Sequence, residues 1–290
     1  MAKSSALPTG VWGMIGRSFK VVFANLGLFF GATIVFLVLM GFAEWLFGYF
    51  LYNFGDTFAA KTAIGVLYFV LTMFLGILLG VTTAFISSNT LNGKKVEVQG
   101  AVKFTFGKIW TAVGVALRTL WYVFRLPLIV ILIGVVYVFV LKFFGVDISL
   151  SSFNPKTIVA SPNLAVLFTT WIVFAAATIF IFYWMIFRSV KSVFSYFTFV
   201  EDGYEKWDAV NKSVKTVGNL WWGTFGDYLA GSLFLAIVFM IPTIFLMRLI
   251  GLNEGEPVFI LINLISTGLI SFLVSVFLNL TYRKYKGYNG

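Results

Sequence analysis

Six long apolar runs alternate with short segments that carry most of the charged side chains. The runs cover residues 21–47, 62–93, 113–144, 163–187, 227–248 and 257–282. Each approaches or exceeds the roughly 20 residues that a helix needs to cross the apolar core of a bilayer. Because lipid offers no hydrogen-bond partner to an open backbone, such spans are helical, and their lack of alternation argues against a transmembrane β-barrel. We therefore expect an all-α, polytopic integral membrane bundle of six transmembrane helices.

Composition narrows the class of protein further. The chain has 290 residues, of which 60% are hydrophobic and 11% charged, with a mean hydropathy of +0.97. A soluble chain of this length could not bury so much apolar surface, which excludes soluble enzymes and disordered or fibrous proteins. The absence of cysteine and histidine excludes disulfides, thiol nucleophiles and imidazole metal ligands.

The basic residues predict the orientation of the spans. If both termini are cytoplasmic, all 21 Lys and Arg residues lie on the cytoplasmic side except Lys61, Lys142, Lys156 and Arg248. This asymmetry follows the positive-inside rule. It predicts a multi-pass protein of the cell membrane. The net charge of +10 is then a matter of topology and does not indicate a nucleic-acid partner.

The segment 204–222 has the pattern of an interfacial amphipathic helix. Apolar side chains recur at helical spacing on one face: Trp207, Val210, Val214, Val217 and Trp221. Asp202 is a candidate N-cap, with Glu205 as its capping-box partner. We expect the helix to lie on the cytoplasmic surface, with its tryptophans among headgroups and its lysines near anionic lipid. A docking surface for a protein partner is the alternative interpretation.

Similar segments precede the other two helical hairpins, at residues 9–20 and 97–110. The string RSFKVVFANL at 17–26 resembles KSVKTVGNL at 212–220. We therefore expect one transmembrane domain, residues 1–290. Our hypothesis is that it contains three hairpin repeats, 9–93, 97–187 and 204–282, related by an axis along the membrane normal.

The stretch FSYFTFVEDGYEKWDAVNKSVKTVGNLWWGTFGDYL, residues 194–229, carries a family resemblance. An aromatic helix end is followed by the turn Glu201-Asp202-Gly203, by Ala209 and Ser213, and by an aromatic entry to the next span. It resembles a broad set of uncharacterised prokaryotic membrane proteins that includes the membrane domain of some glycerophosphodiester phosphodiesterases. The resemblance implies a helical membrane domain without established activity. The phosphodiesterase domain is not in this sequence, so its activity is not implied.

The sixth apolar run carries a row of polar side chains at a spacing of four. The row is Asn263, Thr267, Ser271, Ser275 and Asn279. The second run carries a matching row of small residues: Thr72, Gly76, Gly80, Ala84 and Ser88. Both rows should face other helices. The first interpretation is close packing, with the hydroxyls bonded to backbone or to each other. The second is a polar transport path.

Few ionisable residues lie within or at the ends of the apolar runs. They are Glu44, Arg118, Arg125 and Asp227. Such residues are functional candidates, although all four lie close enough to an interface to reach water. An ion pair of Asp227 with Arg118 or Arg125 is one hypothesis, because an unpaired charge there would be costly.

Three functions remain open. The first is a non-enzymatic scaffold, accessory subunit or lipid-environment protein without a cofactor, whose partners are membrane lipids, with anionic lipid at the cytoplasmic face. The second is a small transporter or channel that uses the polar row. The third is a membrane-embedded enzyme that acts on lipid, for which the sequence offers no clustered acids or activated nucleophile.

Overall fold

A computed structural model describes residues 10–143, 164–251 and 257–288. These residues form ten α-helices. The helices are α1 Val11–Ala24, α2 Leu26–Phe54, α3 Phe58–Leu91, α4 Val98–Gly107, α5 Ile109–Phe143, α6 Leu164–Ser192, α7 Ser195–Asp202, α8 Lys206–Val217, α9 Trp221–Leu249 and α10 Pro257–Tyr288. The described part of the chain contains no strand, which confirms the predicted all-α class.

Six of the helices are long and apolar enough to cross a membrane, namely α2, α3, α5, α6, α9 and α10. They coincide with the six apolar runs, so the chain has the architecture of a multi-pass membrane protein. The short helices α1, α4 and α8 each precede a pair of long helices. This order is the one that the repeat hypothesis requires, and the extra helix α7 before α8 was not predicted.

The contacts within the chain divide it into two compact units. The main unit contains the residues up to Arg118 and those from Val193 onward, and the hairpin unit is Thr119–Ser192. The main unit has its core around α10, whose buried apolar side chains contact α1, α2, α3 and α9. The largest of these α10 side chains are Phe272, Leu273, Phe277 and Leu280.

A glycine allows α9 and α10 to approach closely. A methyl group added at Gly231 would lie 2.1 Å from Cζ of Phe277, which is fully buried. The ring of Phe277 therefore occupies the space that any side chain at position 231 would need. Gly31 has the same role on α2, where an added methyl group would lie 2.7 Å from Val98 Cγ2 of α4.

The helices α7 and α8 form a hairpin that differs from the predicted capping arrangement. Gly203 ends α7 in the left-handed conformation, with φ of +75°, so Asp202 is the last residue of α7 and not the N-cap of α8. Thr198 Oγ1 donates to the backbone oxygen of Ala209 at 2.7 Å. The backbone N–H of Phe194 donates to Ser213 Oγ at 3.1 Å. Ser213 thus joins α8 to α7 through its hydroxyl, which gives a structural reason for serine at this position. Ala209 joins them through its backbone oxygen, and its small side chain is fully buried.

The predicted helix 204–222 is two helices. It is interrupted at Gly218, where φ is +47°, and Trp221 begins α9. The buried face of α8 consists of Ala209, Val210, Ser213, Thr216 and Val217. It is rotated from the predicted apolar stripe because small and hydroxyl residues pack against α7.

Candidate functional site: a polar network at the end of α10

The C-terminal turns of α10 carry three basic side chains that each pair with an acid from another helix. Arg283 Nη2 lies 3.0 Å from Glu201 Oε1 at the end of α7. Its guanidinium also donates to the backbone oxygen of Ser88 at 3.1 Å, in the last turn of α3. A cation at this position stabilises the free carbonyl end of a helix. Arg283 therefore fixes α10 to both α7 and α3.

Asp202, next to Glu201, accepts two further bonds from α10. Tyr282 OH donates to Asp202 Oδ2 at 2.5 Å, and Lys286 forms an ion pair with Oδ1. Tyr282 is fully buried, and its ring packs against Phe194 and Phe197. The acidic turn thus holds the end of α10 through two adjacent carboxylates.

The third acid is Asp227, in the second turn of α9. Lys284 Nζ lies 2.6 Å from Asp227 Oδ2, and Tyr285 OH donates to the same oxygen at 2.8 Å. Asp227 is 8% exposed, so its charge is largely removed from solvent and is balanced locally by Lys284. The ion-pair partner of Asp227 is thus Lys284 on the adjacent helix α10, which corrects the prediction of an arginine partner.

Asn279 extends the network one turn deeper. Its side-chain N–H group donates to Ser88 Oγ at 2.6 Å and to Ser87 Oγ at 3.2 Å, and its oxygen accepts from Arg283 Nε at 3.1 Å. Asn279 is fully buried, and these bonds use both its donor and its acceptor. We call the charged pairs of Arg283, Lys284 and Lys286, together with Asn279, the α10 network.

Two further residues of the predicted polar row, Ser271 and Ser275, line an open cleft. The cleft has a volume of about 330 Å³ and is lined by Gly76, Gly80 and Thr83 of α3, Tyr196 of α7, and Ser271 and Ser275 of α10. The polar row and the small-residue row therefore do lie opposite each other. An added methyl group at Gly76 would meet nothing within 4 Å, so this glycine does not mediate a close helix contact.

Close packing around Thr267 and Ser271, the first interpretation of the row, is not observed. Both residues are exposed, whereas Ser275 and Asn279 are buried. The side chain of Asn263 lies outside the described residues. The row thus divides into an exposed part, Thr267 and Ser271, and a buried part, Ser275 and Asn279, and Asn279 in the buried part is hydrogen-bonded to α3.

The remaining candidate charges have separate surroundings. Arg118 Nη1 donates to the backbone oxygen of Gly114, one turn earlier on α5, at 3.2 Å. Arg125 lies 6.0 Å from the ring centroid of Tyr122. Glu44 is exposed on α2. Within the described residues of the main unit, neither Arg118 nor Glu44 bonds to a member of the α10 network.

The three residues proposed for the interfacial helix also separate. Trp207 is 38% exposed at the start of α8, and Val214 is half-buried. Trp221 is buried and stacks on Phe225 within α9. Only Trp207 and Val214 therefore belong to the helix for which the stripe was predicted.

Sequence reasoning missed the basic half of the α10 network. Arg283, Lys284 and Lys286 were considered only for orientation, Glu201 only as part of a turn, and Asp202 as part of that turn and as an N-cap. The available signal was the group of three bases that directly follows the sixth apolar run, together with three acids before or at the start of the fifth. Within the described residues, no three side chains of the types His, Cys, Asp and Glu form a cluster that could hold a metal ion.

Comparison of this chain with protein-family models, with curated proteins and with solved structures finds no match. The resemblance of residues 194–229 to uncharacterised prokaryotic membrane proteins therefore stays a prediction.

Proposed function

We propose that the chain is a non-enzymatic integral membrane protein of the cell membrane, with both termini in the cytoplasm. It acts as a scaffold, accessory subunit or lipid-environment protein, with anionic lipid as the partner at its cytoplasmic face. One observation supports this proposal directly: each of three buried or half-buried acids forms an ion pair with a different base of α10. The pairs are Glu201 with Arg283, Asp202 with Lys286, and Asp227 with Lys284. These carboxylates hold helices together, which is a structural role and not a catalytic one.

The short helices, the loop before α4 and the first residues of α5 and α9 supply the surface for lipid. Trp12, Trp110, Trp207 and Trp222 are exposed, and each lies near the start of a helix on the side predicted to be cytoplasmic. Lys94, Lys95, Lys103, Lys206 and Lys215 are exposed on the same predicted side. Exposed tryptophan and lysine together are typical of a protein surface at the headgroup layer, where each basic residue contributes about 1 kcal/mol of attraction to anionic lipid.

The lipid preference can be measured directly in bilayers that contain a small fraction of spin-labelled phosphatidylglycerol or phosphatidylcholine. We expect the protein to immobilise the anionic lipid preferentially, and we expect Lys94→Gln with Lys95→Gln to reduce that preference. The matched control is Lys61→Gln with Lys142→Gln, which removes two exposed lysines from the opposite predicted side. Equal immobilisation of both lipids by the unmodified protein would contradict the proposal.

The second candidate function is a small transporter or channel, and the cleft lined by Ser271 and Ser275 favours it. A cleft lined by hydroxyl groups and glycines has room and hydrogen-bonding groups for a small polar solute. The candidate predicts ion or solute leakage through proteoliposomes that contain the protein, and loss of the leakage in Ser271→Leu. The scaffold proposal predicts tight proteoliposomes with either residue at position 271.

A further inference from the structure

Among the described residues, four buried polar side-chain atoms of the hairpin unit have no hydrogen-bond partner. They are Thr119 Oγ1, Tyr122 OH, Trp184 Nε1 and Arg188 Nε. Tyr122 is only 8% exposed. A buried polar group is normally hydrogen-bonded, and four unpaired ones within one helical hairpin indicate a binding partner.

Three of these atoms belong to one cluster between α5 and α6. The guanidinium carbon of Arg188 lies 4.4 Å from the ring centroid of Tyr122 and 4.3 Å from that of Trp184. Thr119 precedes Tyr122 by one helical turn, so the two share a face of α5. The cation therefore contacts both rings, and all three carry an unpaired polar atom.

The cluster is positively charged and rich in donors. Arg125 lies 6.0 Å from the same Tyr122 ring, and no carboxylate of the described residues lies within 4 Å of Arg125 or Arg188. Guanidinium N–H, indole N–H, phenol O–H and threonine O–H can all donate a hydrogen bond. Such a set is complementary to an oxyanion, which would accept these bonds and neutralise the two arginines.

The position of the cluster along the helices indicates the source of the oxyanion. Arg125 and Arg188 each stand at the end of an apolar run, 126–141 on α5 and 164–187 on α6, that contains no charged residue. Arginine at the end of a spanning segment extends to the level of the lipid phosphates, and tryptophan and tyrosine prefer the same layer. Arg125 is exposed, which leaves the cluster open on one side.

We propose that Arg188, Tyr122 and Trp184 form a binding site for the phosphate group of one phospholipid molecule, with Thr119 and Arg125 as further ligands. The inference rests on the proposed function, because it assigns a specific site to the lipid partner named there. It differs from the general attraction of exposed lysines to anionic lipid in binding one molecule at one place.

Native mass spectrometry of the full chain in detergent, titrated with phosphatidylglycerol, tests the site. We expect one lipid to bind more tightly than the others. Arg188→Gln should weaken that first binding step by about 10-fold or more, because hydrogen bonds to charged groups contribute about 1.5–3 kcal/mol. Tyr122→Phe retains the ring and removes only the hydroxyl, so a smaller loss of about 3-fold to 10-fold is expected from a hydrogen bond of about 1 kcal/mol.

Two control variants match these substitutions. Tyr183→Phe removes a hydroxyl from an exposed tyrosine beside Trp184 on α6. Arg248→Gln removes an exposed arginine at the end of α9. Both should bind the first lipid as the unmodified protein does. An unchanged circular dichroism spectrum for Tyr122→Phe ensures that its result reports on the site.

Several outcomes would overturn the inference. Equal first-step affinity for unmodified protein, Arg188→Gln and Tyr122→Phe would mean that water satisfies the four atoms. Displacement of the lipid by inorganic phosphate would make the ligand a free phosphate ion. If the spin-label preference for anionic lipid persists while the first-step affinity is unaffected by Arg188→Gln, the specific site fails and the proposed function stands.

Discussion

Arg283 of α10 lies 3.0 Å from Glu201 of α7, and their side chains are only 15% and 16% exposed. The two residues are 82 positions apart in the sequence, so the pair joins two distant helices. Lys108 and Glu205 form a second ion pair, at 3.4 Å, with side chains 51% and 48% exposed. The two pairs provide a comparison of buried and exposed charge within one protein.

Arg283→Met should lower the free energy of unfolding by about 3 kcal/mol or more, because it leaves a buried carboxylate without its partner. Lys108→Met is the matched control, and an exposed pair contributes about 1 kcal/mol at most. Reversible denaturation in detergent micelles measures both variants. Similar losses for the two would show that burial of the Arg283 pair does not determine its contribution.

Gly231→Ala should destabilise the contact between α9 and α10. The added methyl group would lie 2.1–2.7 Å from three atoms of the Phe277 ring, so the ring or a helix must move. Overpacking of this kind costs about 1–3 kcal/mol. Gly226→Ala lies on the same helix with nothing within 4 Å, and its melting temperature in detergent should equal that of the unmodified protein or exceed it. A stable Gly231→Ala variant would argue against the close approach.

Asn279→Ala should lower the stability by about 1–2 kcal/mol, near the upper end for hydrogen bonds between transmembrane helices. The change removes the bonds to Ser87 and Ser88 and the acceptor for Arg283 Nε. Asn53→Ala is the control, because the exposed Asn53 side chain bonds only to the backbone of its own helix. If the two variants have the same melting temperature in detergent, Asn279 does not stabilise the contact of α10 with α3.

Leucine should be tolerated at position 271 and not at position 275. Ser271 is exposed at the cleft and can accommodate a larger side chain, whereas Ser275, which also lines the cleft, is only 7% exposed, so a larger side chain there would press on its neighbours. Thermal denaturation of Ser271→Leu should match the unmodified protein, and Ser275→Leu should lose about 1–3 kcal/mol by overpacking. A reversed order would place the closely packed part of the row at Ser271.

The six spans could be predicted because a helix that crosses lipid must be apolar throughout its length. The short helices before the hairpins were predictable in part, since their polar and apolar positions have helical spacing. The end of α8 was not, because Gly218 interrupts a stripe whose spacing continues to Trp221. The hairpin of α7 and α8 depends on Thr198 and Ser213 bonding across the turn, a contact that no local pattern specifies.

The α10 network could likewise be predicted only in part. The sequence indicated that Asp227 required a partner, and the partner is Lys284, 57 positions away on the neighbouring helix. Spacing along one helix placed Asn279 and Ser271 in one row, but only the packing of α3 against α10 determines which of them is buried. Tertiary contacts of this kind depend on the three-dimensional arrangement of the helices, which hydrophobic periodicity does not encode.

The most direct test of the account is two-sided cysteine labelling, because the chain has no cysteine of its own. Asp56, in the turn between α2 and α3, and Asn219, in the turn between α8 and α9, are both exposed. With a membrane-impermeant maleimide on intact cells, Asp56→Cys should be labelled and Asn219→Cys should be protected until the membrane is opened. Labelling of Asn219→Cys on intact cells, with Asp56→Cys protected, would invert the topology and contradict a cytoplasmic surface for anionic lipid.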